Sequence, residues 1–207
     1  MRFKMNASCQ LKDQILEAAL PDVVFDGWSD TTLTKAIDTL GLDKDIYRAT
    51  FPKGMIDVIA HFADWADRKM LDQLEADNIE DMRIRDRIRR GVLTRLDVLA
   101  PHKEAVRLAM HYWGAPHRGA KAGKALWHTA DRIWQWAGDT ATDYNRYTKR
   151  ALLSALLAST TYTWLKDETE TLSDTNKHLD QKIEHIMKMG QFIGKLKCKK
   201  ADKRQAV

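Results

Sequence analysis

Apolar residues recur every three to four positions along most of this chain, and that spacing predicts amphipathic helices rather than strands. Glycine and proline interrupt the repeat, which sets the expected ends of the helices; the first should end between Pro21 and Gly27. The predicted helices cover residues 11–20, 33–40, 46–49, 56–70, 79–99, 101–113, 120–137, 142–165 and 173–193. We therefore predict an all-α fold.

The first predicted helices have the layout of a helix-turn-helix unit, in which two short helices flank a glycine turn. Ser29 or Asp30 can cap the second helix, and Asp43 can cap the third. The segment AIDTLGLDKDIYRATFPKGMIDVI resembles the amino-terminal part of TetR-like regulators, in which a tyrosine and a Phe-Pro pair close the recognition helix. This resemblance implies a TetR-like fold.

The charge of this unit argues against DNA binding. Residues 11–53 contain five basic and eight acidic side chains, and Asp43 and Asp45 open the helix that would read bases. A DNA-binding surface needs lysine and arginine against phosphate. We therefore interpret the unit as a degenerate helix-turn-helix and predict no nucleic-acid partner. A TetR-type repressor with an apolar effector pocket remains the alternative.

Composition and length favour one predominantly helical domain. The chain has 207 residues, 44% of them hydrophobic, with only four prolines and ten glycines. The two cysteines, Cys9 and Cys198, lack metal-binding spacing, which fits a reducing compartment. No apolar run is long enough for a membrane span, and the first residues lack the apolar core of a signal peptide. These features predict a cytoplasmic protein.

The net charge of +5 is confined to the end of the chain. From Lys195 onward there are six basic residues and one acidic residue, so the remainder is neutral. Apolar residues precede and interleave with these lysines, a pattern that suits an anionic membrane surface. The membrane-binding candidates are Met189, Phe192, Ile193, Lys195, Leu196 and Lys197. A packed helix followed by a solubilising tail explains the pattern equally well.

No residue set indicates catalysis or a metal site. Two pairs, His61 with Asp64 and His128 with Asp131, have a spacing that could hold a metal, but neither pair has further ligands in register. Glycine-rich phosphate loops and nucleophile motifs are absent from the sequence. We predict no catalytic residue, no bound metal and no enzyme activity.

The carboxyl half is rich in large apolar residues. Tryptophans at helical spacing usually belong to a core, but serine and threonine in the predicted helix 142–165 leave room for a cavity. A largely apolar pocket with a few hydroxyl groups suits a lipid. The lipid-binding candidates are Trp127, Trp134, Leu152, Leu153, Leu156, Thr160 and Trp164.

Residues 133–150, IWQWAGDTATDYNRYTKR, place polar residues where a core pattern should continue across a one-residue break at Gly138. This string, with PHKEAV, TADRIW, ALL and TWLKD around it, resembles the lipid-binding accessory proteins of coenzyme Q (ubiquinone) biosynthesis, a TetR-like family. The resemblance spans most of residues 11–190. Many relatives have tryptophan where this chain has Arg146, between the asparagine and the tyrosine of the motif.

The resemblance implies a non-catalytic protein that binds isoprenoid quinone intermediates, or a phospholipid, and presents the quinone to a di-iron demethoxyubiquinone hydroxylase. It implies docking of that hydroxylase through the motif, with Ile133, Asp143, Asn145, Arg146, Tyr147 and Arg150 as candidates. It also implies a homodimer.

Three regions are expected along the chain. A degenerate helix-turn-helix subdomain covers residues 1–53, a helical lipid-binding bundle covers residues 54–194, and a basic tail covers residues 195–207. We expect the protein in the cytoplasm, peripherally associated with the inner (cytoplasmic) membrane.

Overall fold

The computed structural model describes residues 7–43, 45–140 and 144–188, and within these ranges it contains helices and turns but no strand. The helices are α1 (Ala7–Asp26), α2 (Asp30–Thr39), α3 (Ile46–Thr50), α4 (Met55–Leu74), α5 (Ile84–Leu99), α6 (Lys103–Trp113), α7 (Gly119–Trp136), α8 (Tyr144–Lys166) and α9, residues 173–188. Two 3₁₀ turns, Ala100–His102 and Pro116–Arg118, precede α6 and α7.

The helix-turn-helix unit is built by local signals in the sequence. The Ser29 hydroxyl accepts a hydrogen bond from the Thr32 backbone N–H, which caps α2. After α2, Gly41 takes a positive φ of 65°, a conformation that costs glycine little. The Tyr47 hydroxyl of α3 donates a hydrogen bond to Asp30 at 2.9 Å and so ties α3 to the start of α2.

The buried side chains form two apolar clusters. The first joins α1, α2 and the start of α4 to the end of α5, the first half of α6 and the end of α8. Phe51 and Phe62 both belong to it, so side chains on either side of the predicted boundary at residue 53 share one core. The second cluster joins the end of α4 to parts of α5, α7, α8 and α9. The region boundaries themselves stay a prediction.

The expected end of α1 agrees with the structure, since the helix ends at Asp26, within the range from Pro21 to Gly27. It continues through Pro21, on either side of which Leu20 and Val23 are buried. Two other expected helix limits differ from the structure. Helix α5 begins at Ile84 rather than at residue 79, since a turn occupies the residues before it. The break after α7 exceeds one residue: residues 137–140 are all non-helical.

The described helices include none that combines the length and the apolar character needed to cross a bilayer.

Candidate functional site

An apolar cavity of about 300 Å³ lies among helices α4 to α8. Among the described residues that line it, Arg95 alone carries a charge. The large apolar residues of the wall come mainly from α4, α5 and α6, and most of the residues from α7 and α8 are small. The lining residues are Ile59, Phe62, Ala63, Arg95, Leu99, Val106, Ala109, Met110, Trp113, Gly114, Ala122, Ala125, Leu126, Thr129, Ala158 and Thr161.

None of the seven residues predicted to bind lipid lines this cavity. Trp164 and Thr160 are fully buried, while Trp127 and Leu152 are half-buried. The remaining three, Trp134, Leu153 and Leu156, line a separate cavity of about 30 Å³ beside α9.

The expected position of the pocket is therefore corrected. On α8, Leu153 and Leu156 pack into the second core cluster and Trp164 packs into the first. A different face of the helix, with Ala158 and Thr161, borders the larger cavity. Sequence reasoning also missed the alanines of α7 that line the cavity, Ala122 and Ala125. The signal available for them was a run of small residues in an otherwise amphipathic helix.

A buried carboxylate, Asp67, lies behind the cavity wall and binds two residues of that wall, Arg95 and Thr129. Its side chain is 2% exposed and accepts hydrogen bonds from Arg95 at 2.8 Å, from the Thr129 hydroxyl at 2.8 Å and from Arg132 at 3.3 Å. Arg95 and Thr129 line the apolar cavity, so Asp67 fixes the polar groups that this cavity presents. A buried charge is tolerated only with such partners.

The ion-pair network continues along α4 toward α1. Arg132 and Arg68 both bind Asp64, and Arg68 also binds Asp13 through two nitrogens, at 2.8 and 2.6 Å. Burial alone would raise the pKa of Asp64, but hydrogen bonds from Arg132 and Arg68 lower it below its ordinary value. Helices α1, α4 and α7 are thus cross-linked by charged hydrogen bonds beside the cavity.

His61, one of the two histidines considered as metal ligands, has a partner other than Asp64. His61 Nε2 lies 2.7 Å from Asp13 of α1 rather than bonding Asp64. Burial lowers the pKa of His61 below its ordinary value, and the opposing effect of Asp13 is smaller. In the part of the chain that the structure describes, no group of three or more metal-binding side chains occurs.

The conspicuous polar motif contributes an exposed aromatic patch where α7 meets α8. Tyr147 is 61% exposed, and its ring lies 6.1 Å from the ring of Trp127. Arg146 is also exposed and lies 3.6 Å from Asp131. We call Trp127, Asp131, Arg146 and Tyr147 the aromatic patch. Asn145 lies in α8, whereas Asp143 lies outside the described residues.

Two residues predicted to contact the partner are internal, and we correct their role. Ile133 has no exposed surface and packs against Gly91 of α5. Arg150 is 2% exposed and binds both Asp131 and Asp139. Burial would lower the pKa of Arg150, but the hydrogen bonds to Asp131 and Asp139 raise it. Neither side chain can touch a partner in this conformation: Ile133 packs α7 against α5, and Arg150 holds α7 and α8 together.

The predicted membrane-binding residues begin at Met189 and lie outside the described residues, as does the basic tail. Their role stays a prediction.

Comparison with known proteins supplies independent information about this arrangement. A sequence model of the COQ9 family matches residues 119–190, which include the patch and the parts of α7 and α8 that line the cavity. The chain is 29% identical over 195 residues to the mitochondrial ubiquinone biosynthesis protein COQ9 of Homo sapiens, covering 91% of this chain and 61% of that protein. It is 22% identical over 189 residues to the Drosophila melanogaster COQ9 protein, covering 88% and 57%.

The chain thus spans about three fifths of the length of these relatives. A crystal structure of a TetR transcriptional regulator from Nitrosomonas europaea superimposes with a TM-score of 0.69 at 20% identity, covering 86% of this chain and 98% of the regulator. Together these matches confirm the resemblance predicted from the sequence: the chain is COQ9-like, and its all-α fold is TetR-like.

The expected location is wrong. The human, cattle and fruit-fly relatives are all named as mitochondrial proteins, which contradicts a cytoplasmic protein at the inner (cytoplasmic) membrane. Composition does not distinguish the two locations, because two distant cysteines and a chain that is neutral up to residue 194 fit several reducing compartments equally.

Proposed function

We propose that this COQ9-like chain takes part in ubiquinone biosynthesis as a non-catalytic accessory protein. In this proposal it binds isoprenoid quinone intermediates in the apolar cavity and presents them to a di-iron demethoxyubiquinone hydroxylase. The relatives' names support the pathway. The cavity among α4 to α8 is the observation that carries the lipid-binding role.

The cavity has the apolar lining that suits a prenyl chain. Its volume of about 300 Å³ is at the lower end of the range of small-molecule sites. Burying hydrocarbon from water contributes about 0.8 kcal/mol per methylene group. Arg95 at the wall can orient a ring oxygen, because a guanidinium has five donors and only one of those of Arg95 has a hydrogen bond among the described residues.

Filling the cavity tests lipid binding directly. Ala158→Leu on α8 projects a larger side chain into the cavity, whereas Ala155→Leu makes the same change at an exposed position of the same helix. Binding of decylubiquinone is measured by quenching of tryptophan fluorescence, to which Trp113 in the wall contributes. We expect Ala158→Leu to weaken binding at least tenfold and Ala155→Leu to leave it unchanged. Equal affinities in two folded variants would refute the cavity as the binding site.

The aromatic patch supports the partner part of the proposal. Exposed aromatic and arginine side chains are typical anchors of protein interfaces, and Tyr147 and Arg146 lie together on one surface. The buried ion pairs of Arg150 keep this surface in place without contacting the partner.

Docking is tested with the purified hydroxylase and three variants. Tyr147→Ala should weaken the complex by tenfold or more, as an interface anchor does. Tyr162→Ala is the matched control, since Tyr162 is 52% exposed on the same helix and about 22 Å further along it. Arg146→Trp introduces the residue common in relatives and should change the affinity. If neither Tyr147→Ala nor Arg146→Trp alters binding, the patch is not the docking surface.

The TetR-like fold keeps a repressor as the second candidate. Two groups of the helix-turn-helix unit that could contact DNA already have acidic partners, which disfavours a repressor. Lys35 of α2 forms an ion pair with Asp26, and the Tyr47 hydroxyl of α3 donates a hydrogen bond to Asp30. A repressor retains salt-sensitive binding to random duplex DNA at low ionic strength. Measurable binding of that kind would favour the repressor over the accessory protein. A homodimer through the last helices remains part of our proposal, and sedimentation tests it.

A further inference from the structure

One side chain of α5, Arg87, holds the non-helical residues 137–140 that follow α7. Its Nε donates a hydrogen bond to the Met82 carbonyl at 3.0 Å, and its Nη1 donates one to the Ala137 carbonyl at 2.8 Å. The first bond fixes the guanidinium beside the start of α5, and the second ties the end of α7 to it. Because the donor is charged, these hydrogen bonds are stronger than those between neutral groups.

The backbone around Ala137 is shaped to receive this guanidinium. Ala137 is 1% exposed, so its carbonyl is bound inside the protein rather than at the surface. Gly138 has a φ of 86°, a conformation that suits glycine, and a Cβ there would lie only 3.2 Å from Arg87 Nη1. A side chain at residue 138 would therefore press on Arg87.

The same short segment is also held from α8. The Asp139 carboxylate is 3% exposed and accepts hydrogen bonds from Lys149 at 2.7 Å and from Arg150 at 2.9 Å. Residues 137 and 139 are thus bound by side chains of two different helices. This arrangement fixes the segment relative to both α5 and α8, and Tyr147 lies in the first turn of α8.

We infer that Arg87 is a positioning residue for the docking surface, although α5 contributes no residue to the aromatic patch. By holding the Ala137 carbonyl, it sets the direction in which the chain leaves α7, and so where Tyr147 lies against Trp127. The inference rests on the proposed docking of the hydroxylase through the aromatic patch. Arg87 does not line the apolar cavity, so its effect should be confined to docking.

Arg89 provides a matched control on the same helix. It is half-buried, as Arg87 is, and it also donates two hydrogen bonds, but to Asp180 and Asn176 of α9. Arg87→Gln removes the charged fork, whereas Arg87→Lys keeps the charge but has only one nitrogen for two carbonyls. Each folded variant of the full chain is measured for its affinity for the purified hydroxylase and for decylubiquinone. Hydrogen exchange of the backbone amides in residues 144–155 reports how firmly the start of α8 is held.

We expect Arg87→Gln to weaken the complex with the hydroxylase about tenfold and Arg87→Lys to weaken it about threefold, as substitutions that act without touching the ligand do. Both should speed amide exchange in residues 144–155 and leave the affinity for decylubiquinone unchanged. Arg89→Gln should change none of these three quantities.

The inference is overturned if Arg89→Gln weakens the complex as much as Arg87→Gln does, because the effect is then one of general charge or stability. If Arg87→Gln does not fold, Arg87→Lys decides, and unchanged affinity and exchange in that variant overturn the inference. Normal docking by both Arg87 variants, with Tyr147→Ala still weakening the complex, overturns the inference alone. A hydroxylase that does not bind the unchanged chain overturns the docking part of the proposed function, and the inference with it.

Discussion

Adding one methyl group at Gly91 should destabilise the protein, because Gly91 of α5 packs against Ile133 of α7, a member of the second core cluster. A Cβ at this position would lie 2.9 Å from Ile133 Cγ2 and 3.5 Å from Cγ1. Carbon atoms in contact usually lie about 3.5–4.0 Å apart. The nearest atom is a branch methyl of a fully buried side chain, which has few alternative rotamers in a helix.

Two opposing effects decide the size of the change. Alanine is favoured over glycine in a helix interior by about 1 kcal/mol. Overpacking a core costs about 1–3 kcal/mol. We therefore expect Gly91→Ala to lower the free energy of unfolding by about 1 kcal/mol. For a chain of this size that corresponds to a fall in melting temperature of about 2–4 °C.

Urea denaturation of a pair of variants separates the two effects. Gly123 lies in α7, and a Cβ there would meet nothing within 4 Å, so Gly123→Ala should show the helix gain alone and stabilise the protein. In an Ile133→Ala background, which removes the obstructing methyl group, Gly91→Ala should become stabilising as well. If Gly91→Ala stabilises the original chain as much as Gly123→Ala does, the tight contact between α5 and α7 is refuted.

Two further predictions concern buried charged and titratable groups. Asp67→Asn should lower the free energy of unfolding by about 3–5 kcal/mol, since it removes the counter-charge of the buried Arg95 and one of the two carboxylates that bind Arg132. Asp77→Asn, whose partner Arg90 is half-exposed, should cost under about 1 kcal/mol in the same urea melts. Burial lowers the pKa of His61, and also those of His102 and His178, so the unfolded chain binds protons more readily and stability should fall as the pH drops below about 6.5. His61→Gln should reduce this slope between pH 7.5 and 5.5; an unchanged slope would show that His61 does not contribute to it.

The helices could be predicted from the sequence because each one alone has an apolar face. The repeat that includes Ile15, Leu16 and Ala19 indicates burial whatever the neighbour is, and all three are indeed fully buried. Helix ends depend on more than periodicity. The sequence left the end of α1 open between Pro21 and Gly27; the helix runs through Pro21 to Asp26, because buried residues on both sides of Pro21 outweigh the lost hydrogen bond.

The cavity could not be predicted in the same way, because it depends on which helix each face meets. Helix α8 buries several faces at once: Leu153 and Leu156 contact the second cluster, Trp164 contacts the first, and Ala158 borders the cavity. Size and hydrophobicity distinguish buried from exposed positions along such a helix. They do not distinguish a filled space from an empty one, which requires the positions of α4, α5 and α6.

The polar motif shows how one conspicuous sequence can combine two physical roles. Arg150 is buried and paired with Asp131 and Asp139, so it fixes the angle between α7 and α8 across the non-helical residues 137–140. Tyr147, less than one helical turn away, is exposed and lies against Trp127 of α7. The internal ion pairs therefore determine where the exposed aromatic rings lie. Loss of Arg150 would disturb the patch without removing any group that a partner could touch, so a binding defect at Arg150 would be indirect, whereas one at Tyr147 would be direct.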